Sequence, residues 1–197
     1  MPRPKTYDDD LRQRLLKRAA EAIAQHGPGG LALRPVAAAE NTSTTAVYSI
    51  FGGRAGLIAA VGQTASEGFV AAQRAVPTTD DPYEDLFNLG RAYRAWAIEN
   101  PALYQVLMSP RDPTLSGDGS MPQSAAAAPL FEVVLRLIAA GTFPDVFPPR
   151  IAGTIWASVH GFVMLELSGI FDIPGGAGMD VLYAAHLESI RRGWRVG

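Results

Sequence analysis

A chain of 197 residues, 48% hydrophobic and 18% charged, is long and apolar enough to bury a substantial core, which excludes a disordered polymer. The absence of cysteine excludes disulfides, thiolate metal sites and cysteine nucleophiles, and a reducing compartment fits. The net charge of −2 argues against a general nucleic-acid binder, yet the charge is unevenly placed. Residues 1–54 hold 8 basic and 5 acidic residues, net +3, while the remainder holds 9 and 14, net −5. Neutralising phosphates requires local Lys and Arg, so this distribution suits DNA contact confined to the N-terminal part.

The opening MPRPKTYDDD lacks a signal-peptide core, and the longest charge-free apolar stretch, 151–165, is too short to span a bilayer. The expectation is a soluble cytoplasmic protein with no membrane partner. Arg3 and Lys5 offer a minor-groove arm, against the plainer reading of a solvated tail.

The first helix is expected over 7–26, with Leu11, Leu15, Ala19, Ala22 and Ile23 on one face and acidic residues in the first turn. Gly27-Pro28-Gly29-Gly30 stops it. A second helix over 34–40 tolerates Pro35 in its first turn, where N–H groups lack helical partners anyway. Asn41-Thr42-Ser43 breaks the pattern, and Ser43 is a good N-cap for a third helix over 44–50.

Val47, Ile50 and Phe51 supply the apolar face of that third helix. Burying them leaves Ser43, Thr44, Thr45, Tyr48 and Ser49 outside, the short hydrogen-bonding residues a helix needs in a major groove. Gly52-Gly53 is a hinge before a longer helix of about 54–75.

The residues from Pro77 to Pro82 form the clearest linker. Helices follow at about 83–99, 101–108, 123–140, 149–170 and 179–195, with a long polar loop over 109–122. No alternating Val/Ile/Thr-rich stretch competes for strand, so the fold class is all-α, about nine helices. Residues 1–54 read as a helix-turn-helix domain and 55–197 as a helical dimerisation bundle.

The segment 151–171 is apolar nearly all round and must be buried all round, one face on its own body and one on a partner. Gly153, Ala157, Ser158 and Gly161 permit close approach there. A head reading a pseudopalindrome works as a pair, so a homodimer through the last two helices is expected.

The set Leu33-Arg34-Pro35-Val36-Ala37, Ser43-Thr44-Thr45-Ala46-Val47-Tyr48, Phe51-Gly52-Gly53-Arg54 and Gly56-Leu57 resembles the TetR family of bacterial transcriptional regulators. The resemblance implies that the third helix enters the major groove through Ser43, Thr44, Thr45, Tyr48 and Ser49. Tyr48 would bond a phosphate, and Arg34 and Arg54 would add charged phosphate contacts. Four positions depart from the family's pattern, among them Arg54, which replaces a common Lys and keeps the charge. Asn41 replaces a turn glycine but tolerates the left-handed conformation. Ala32 replaces a hydroxyl cap, and Ile50 stands where a phosphate-contacting His is common. So few basic residues imply moderate affinity with a steep salt dependence.

Trp156-Ala157-Ser158-Val159-His160-Gly161 is similar to the Trp…His-Gly signature of one TetR C-terminal class, often called WHG, and residues 93–104 resemble its fifth and sixth helices. That resemblance implies an effector cavity, with Phe69, Tyr93, Trp96, Tyr104, Met108, Phe131, Trp156, His160 and Met164 as candidate lining. Apolar walls with few polar points suit a small, largely apolar effector. The same residues serve equally as core, and His160 as a structural histidine.

Two rivals come from other classes. An enzyme finds no support: His26, His160 and His186 lack metal-ligand spacing, Glu166 and His160 lie off one helical face, and Gly117-Asp118-Gly119 and Gly175-Gly176-Ala177-Gly178 follow no strand. No cofactor is expected. A helical protein-interaction module without sequence-specific DNA binding is the other. The reading is a ligand-responsive repressor that binds a pseudopalindromic operator as a dimer.

Overall fold

A computed structural model describes residues 9–109, 122–171 and 178–195. Among them the chain forms nine α-helices: α1 Asp9–His26, α2 Leu33–Ala39, α3 Thr44–Phe51, α4 Arg54–Arg74, α5 Pro82–Glu99, α6 Pro101–Met108, α7 Pro122–Ala139, α8 Pro148–Leu167 and α9 Met179–Trp194. The all-α expectation holds. Arg3, Lys5, the loop over 110–121 and residues 175–177 of the glycine run lie outside the described residues.

The helix ends follow from local chemistry. Gly27, at φ 70, closes α1 through its N–H on the Ile23 carbonyl (2.8 Å), and Pro28–Gly30 turns once as a 3-10 helix. Ala32 contributes no side-chain cap to α2, as its methyl must. Ser43 caps α3 by accepting from the Ala46 N–H at 3.2 Å. Gly52, left-handed at φ 75, closes α3 through its N–H on the Tyr48 carbonyl (2.9 Å).

The chain forms two compact units. One comprises the described parts of Met1–Gly68 and Asn100–Ser120, the other those of Phe69–Glu99 and Met121–Gly197. The expected division after residue 54 isolates the helix-turn-helix; packing draws a wider unit around it. That unit takes in the first part of α4, whose Leu57 and Val61 are fully buried, and α6, whose Ala102, Leu103 and Val106 pack on the same core. Leu15, Leu16, Ala19, Ile23, Val36, Ala37 and Val47 complete it.

The second unit is built from α5, α7, α8 and α9 with the end of α4. Along α8, Ile151, Ile155, Val159 and Val163 recur every fourth residue and are buried. Arg94 on α5 ties this unit together. Its guanidinium donates to Glu166 on α8 (2.6 and 2.7 Å) and to Asp180 on α9 (2.7 Å), and lies 5.2 Å from the Tyr183 ring centroid. No single helix among the described residues is long and apolar enough to cross a membrane.

Candidate nucleic-acid interface and ligand cavity

In the first unit the turn between α2 and α3 rests on Asn41, the one non-glycine residue with positive φ (51°) among the described residues. Asn adopts this conformation at lower cost than other side chains because its amide bonds locally. The turn orients α3 so that Ala46 and Val47 are buried. Ser43, Thr45, Tyr48 and Ser49 are exposed and Thr44 half-buried.

Tyr48 is 59% exposed, high for a large aromatic. Its ring lies over Gly53, where an added Cβ would fall 2.9 Å from Cε1 and 3.2 Å from Cδ1. Gly53 also sits at φ 112, so this residue is glycine for both backbone and neighbour. Gly53→Ala is expected to destabilise the protein by about 1–3 kcal/mol and to displace the Tyr48 ring. Thermal unfolding and the Tyr48 ring NMR signals check this. Gly62→Ala, in the α4 interior with open space around its Cβ, is expected to stabilise by about 0.5–1 kcal/mol instead.

Behind this face, Glu40 accepts from the Nε of both Arg14 (3.0 Å) and Arg18 (2.8 Å), fastening the end of α2 to α1. The Arg18 bond outweighs desolvation and holds the Glu40 carboxyl below its ordinary value. Arg34 on α2 is exposed.

In the second unit a cavity of about 620 Å³, including the solvent at its mouth, opens between α4, α5, α7, α8 and α9. Its walls are largely apolar, with Leu86, Leu130, Ile155 and Val159 beside the rings of Phe87, Tyr93 and Trp156. The Tyr93 hydroxyl accepts the Trp156 indole N–H at 3.3 Å and lies 3.4 Å from His160 Nδ1. Burial pushes the His160 pKa down, favouring a neutral ring that accepts there. Phe69 stacks edge-on against Tyr93 (5.0 Å) and Trp96 (5.3 Å). The polar points of the wall include Gln73 and Arg191.

A family model described as the tetracyclin repressor-like C-terminal domain matches residues 86–190, more than half of the chain. The chain belongs to the TetR family of transcriptional regulators. Solved structures agree with that fold. A TetR-family regulator from Marinobacter aquaeolei VT8 superposes with a TM-score of 0.76 at 19% identity, covering 96% of this chain and 98% of its own. A tetR-family regulatory protein from Rhodococcus RHA1 gives 0.75 at 20%, covering 92% and 95%. The TetR-family regulator PfmR from Thermus thermophilus gives 0.73 at 19%, covering 91% and 97%. No curated protein matches the chain.

This TetR-family chain uses some expected site residues differently. Arg54, expected on a phosphate, turns inward. Its Nε donates to the Leu31 carbonyl (2.8 Å) and one terminal nitrogen to the carbonyls of Pro28 (2.5 Å) and Gly29 (2.8 Å). Those carbonyls belong to the short 3-10 turn after α1 and the residue that follows it, so the guanidinium satisfies them and staples the start of α4 to that turn. Ile50 packs against the unit's apolar core, which accounts for an apolar residue there.

Of the nine residues expected around an effector, Tyr93 and Trp156 line the cavity. Phe69, Trp96 and His160 stand in the unit's aromatic and hydrogen-bonded surroundings. Phe131 and Met164 belong to this unit but do not line the cavity, and Met164 is exposed. Tyr104 and Met108 fall in the first unit, Tyr104 fully buried. Helical periodicity reports that a side chain is buried but not against which element. Gln73 and Arg191 were not foreseen. Each follows buried residues at four-residue spacing, Leu57-Val61-Ala65-Phe69 before the buried Gln73 and Tyr183-Leu187 before the partly exposed Arg191, and a polar residue at the end of such a stripe is the signal.

Proposed function

We propose that this chain is a ligand-responsive repressor that binds a pseudopalindromic operator as a homodimer. The observation that carries the reading is the α3 face: Thr45, Tyr48 and Ser49 exposed on a helix fixed by Asn41 at one end and Gly52-Gly53 at the other. Hydroxyls and one amphipathic ring at this spacing suit base edges and phosphates. Ser43 and Thr44 enter the groove with them. Arg34 supplies the charged backbone contact, while Arg54 acts by positioning the start of α4.

The dimer forms through α8 and α9. The α8 face opposite its buried stripe carries Met164 and Leu165, 38% and 42% exposed, and α9 carries Val181, 65% exposed. Gly153 and Gly161 meet nothing of their own chain, which leaves room for a partner helix. An effector in the second unit favours a dimer whose two heads no longer fit successive major grooves, through its differential affinity for the two states.

Selection of bound sequences from a random duplex pool tests the whole reading. The expected outcome is a two-fold-related site with half-sites one helical turn apart. Tyr48→Ala is expected to weaken binding to the selected site by about 1–2 kcal/mol per protomer, the worth of a phosphate hydrogen bond with its packing, and to leave the dimer intact by sedimentation. Recovery of no consensus, or unchanged affinity in the variant, overturns the groove assignment.

A further inference from the structure

The second unit's cavity holds two polar atoms that its own fold leaves without a hydrogen bond. They are the Gln73 side-chain nitrogen Nε2 and the Arg191 Nε, both wholly buried, and both residues line the cavity. Gln73 is only 5% exposed. Buried polar groups are nearly always bonded, and an unpaired one costs its full desolvation. Two such atoms on residues that line one cavity mark where a ligand's polar end belongs.

The atoms also define that end. An arginine Nε carries a hydrogen and never accepts, so whatever sits before it is an acceptor. A glutamine amide can offer either its nitrogen or its oxygen, and here its nitrogen is the atom left unpaired, ready to donate to the same acceptor. Arg191 is held in place from two other directions. Its terminal nitrogen donates to Glu188 at 2.6 Å, and its guanidinium lies 5.5 Å from the Tyr83 ring centroid. Glu188 is shared, since Arg192 Nε also donates to it at 2.9 Å, and Asp81 acts on Arg191 through its charge. These contacts leave Nε–H without a hydrogen bond. The remaining wall is hydrocarbon and ring.

We infer that the cavity takes a small apolar molecule headed by an oxygen acceptor, a carboxylate or a ketone, and that Gln73 Nε2 and Arg191 Nε bind that head. The inference rests on the effector reading above and gives it a chemical class. A primary amine on the same hydrocarbon body is excluded, because an ammonium brings only donors to two donors and a positive charge to a guanidinium. Tyr93 and Trp156 flank the body, not the head: the Tyr93 hydroxyl already accepts from Trp156 and approaches His160.

The test uses the full chain and three probes with one alkyl body: octanoate, 2-octanone and octylamine, each titrated by calorimetry. At least one of octanoate and 2-octanone is expected to bind at least tenfold more tightly than octylamine; which of them does separates a charged from a neutral head. Gln73→Leu and Arg191→Met are each expected to weaken that binding at least tenfold. Gln73→Leu is also expected to raise the melting temperature of the free protein by a few degrees, because it removes a buried donor with no partner. A purely structural Gln73 gives the opposite sign.

Octylamine binding as tightly as the oxygen-headed probes, or variants with unchanged affinity, overturns the class and leaves the effector reading standing. Failure of all three probes to bind overturns both. Binding with the expected variant losses but no change in affinity for the selected operator supports the ligand class and overturns effector control.

Discussion

A Gly56→Ala variant is expected to lose about 3 kcal/mol of stability and to unfold by roughly 6–12 °C earlier. An added Cβ at Gly56 would lie 1.7 Å from the Phe51 carbonyl oxygen and 2.9 Å from its carbonyl carbon. Those are backbone atoms, and they cannot rotate away as a side chain can. The axes of α3 and α4 meet at 60° across two residues, so the first turn of α4 presses directly on the last turn of α3. Phe51 is held from the other side, packed against the core with the Arg12 guanidinium 5.5 Å from its ring centroid. Relief therefore requires α3 to separate from α4, which uncovers Val47 and Leu57. Gly62→Ala on the same helix is the control. A melting temperature within a degree of the unsubstituted protein would show that the junction yields without cost.

Gly56 matters for function because it sets the angle at which α3 is presented. Gly53 and Arg54 act at the same junction, one through the Tyr48 ring and the other through three carbonyls of the preceding turn. Apart from Arg34 on α2, the residues expected to touch DNA are hydroxyls and one ring on α3 and its cap. The residues that aim them sit just beyond its end.

Local punctuation made the fold legible in the sequence. Gly27, Ser43 and Gly52 act on their own neighbours, so their effects on helix ends follow from chemistry within a few residues. Asn41 was legible for the same reason: a turn needed a left-handed residue, and Asn is the side chain that takes that conformation. The exposed face of α3 followed from period alone, since burying Val47 leaves Tyr48 and Ser49 outside.

Long-range bonding was not legible. Arg54 reads as a free basic residue opening a helix, and nothing nearby reveals carbonyls 23 to 26 residues upstream. Tyr104 and Met108 read as pocket residues because aromatic and thioether side chains recur at helical spacing in cores and cavities alike. The cavity's polar end was half legible. A polar residue closing an apolar stripe could be seen at Gln73 and Arg191, but only the packing shows that Gln73 Nε2 and Arg191 Nε are left without a hydrogen bond.

Asp85→Asn is expected to lower stability at neutral pH by about 2 kcal/mol, with a deficit that shrinks in acid. Asp85 is 3% exposed and accepts from the Thr79 backbone N–H and the Thr79 hydroxyl, each at 2.8 Å. It also pairs with Arg136 on α7, which in turn donates to the Thr79 carbonyl at 2.6 Å. One carboxylate thus joins the segment before α5 to α5 and α7. Asparagine keeps the shape but turns a donor amide toward a donor guanidinium and leaves Arg136 without its counter-charge. Arg136 is about a third exposed, so water softens the loss relative to a fully buried pair.

The pH dependence has a definite sign. Burial alone pushes the Asp85 carboxyl up, but the Thr79 N–H, the Arg136 guanidinium and the Thr79 hydroxyl together hold it below its ordinary value. A folded pKa below the unfolded one, about 3.9, contributes stability that is complete above the unfolded value. That contribution disappears as pH falls through the folded value. Melting temperatures of both proteins from pH 7 down to pH 3 should therefore converge at the acid end. Parallel curves across that range would show that Asp85 stabilises by shape and not by charge. In an Asp85→Asn/Arg136→Met double variant the deficit should be smaller than in Asp85→Asn alone, because the uncompensated guanidinium is gone.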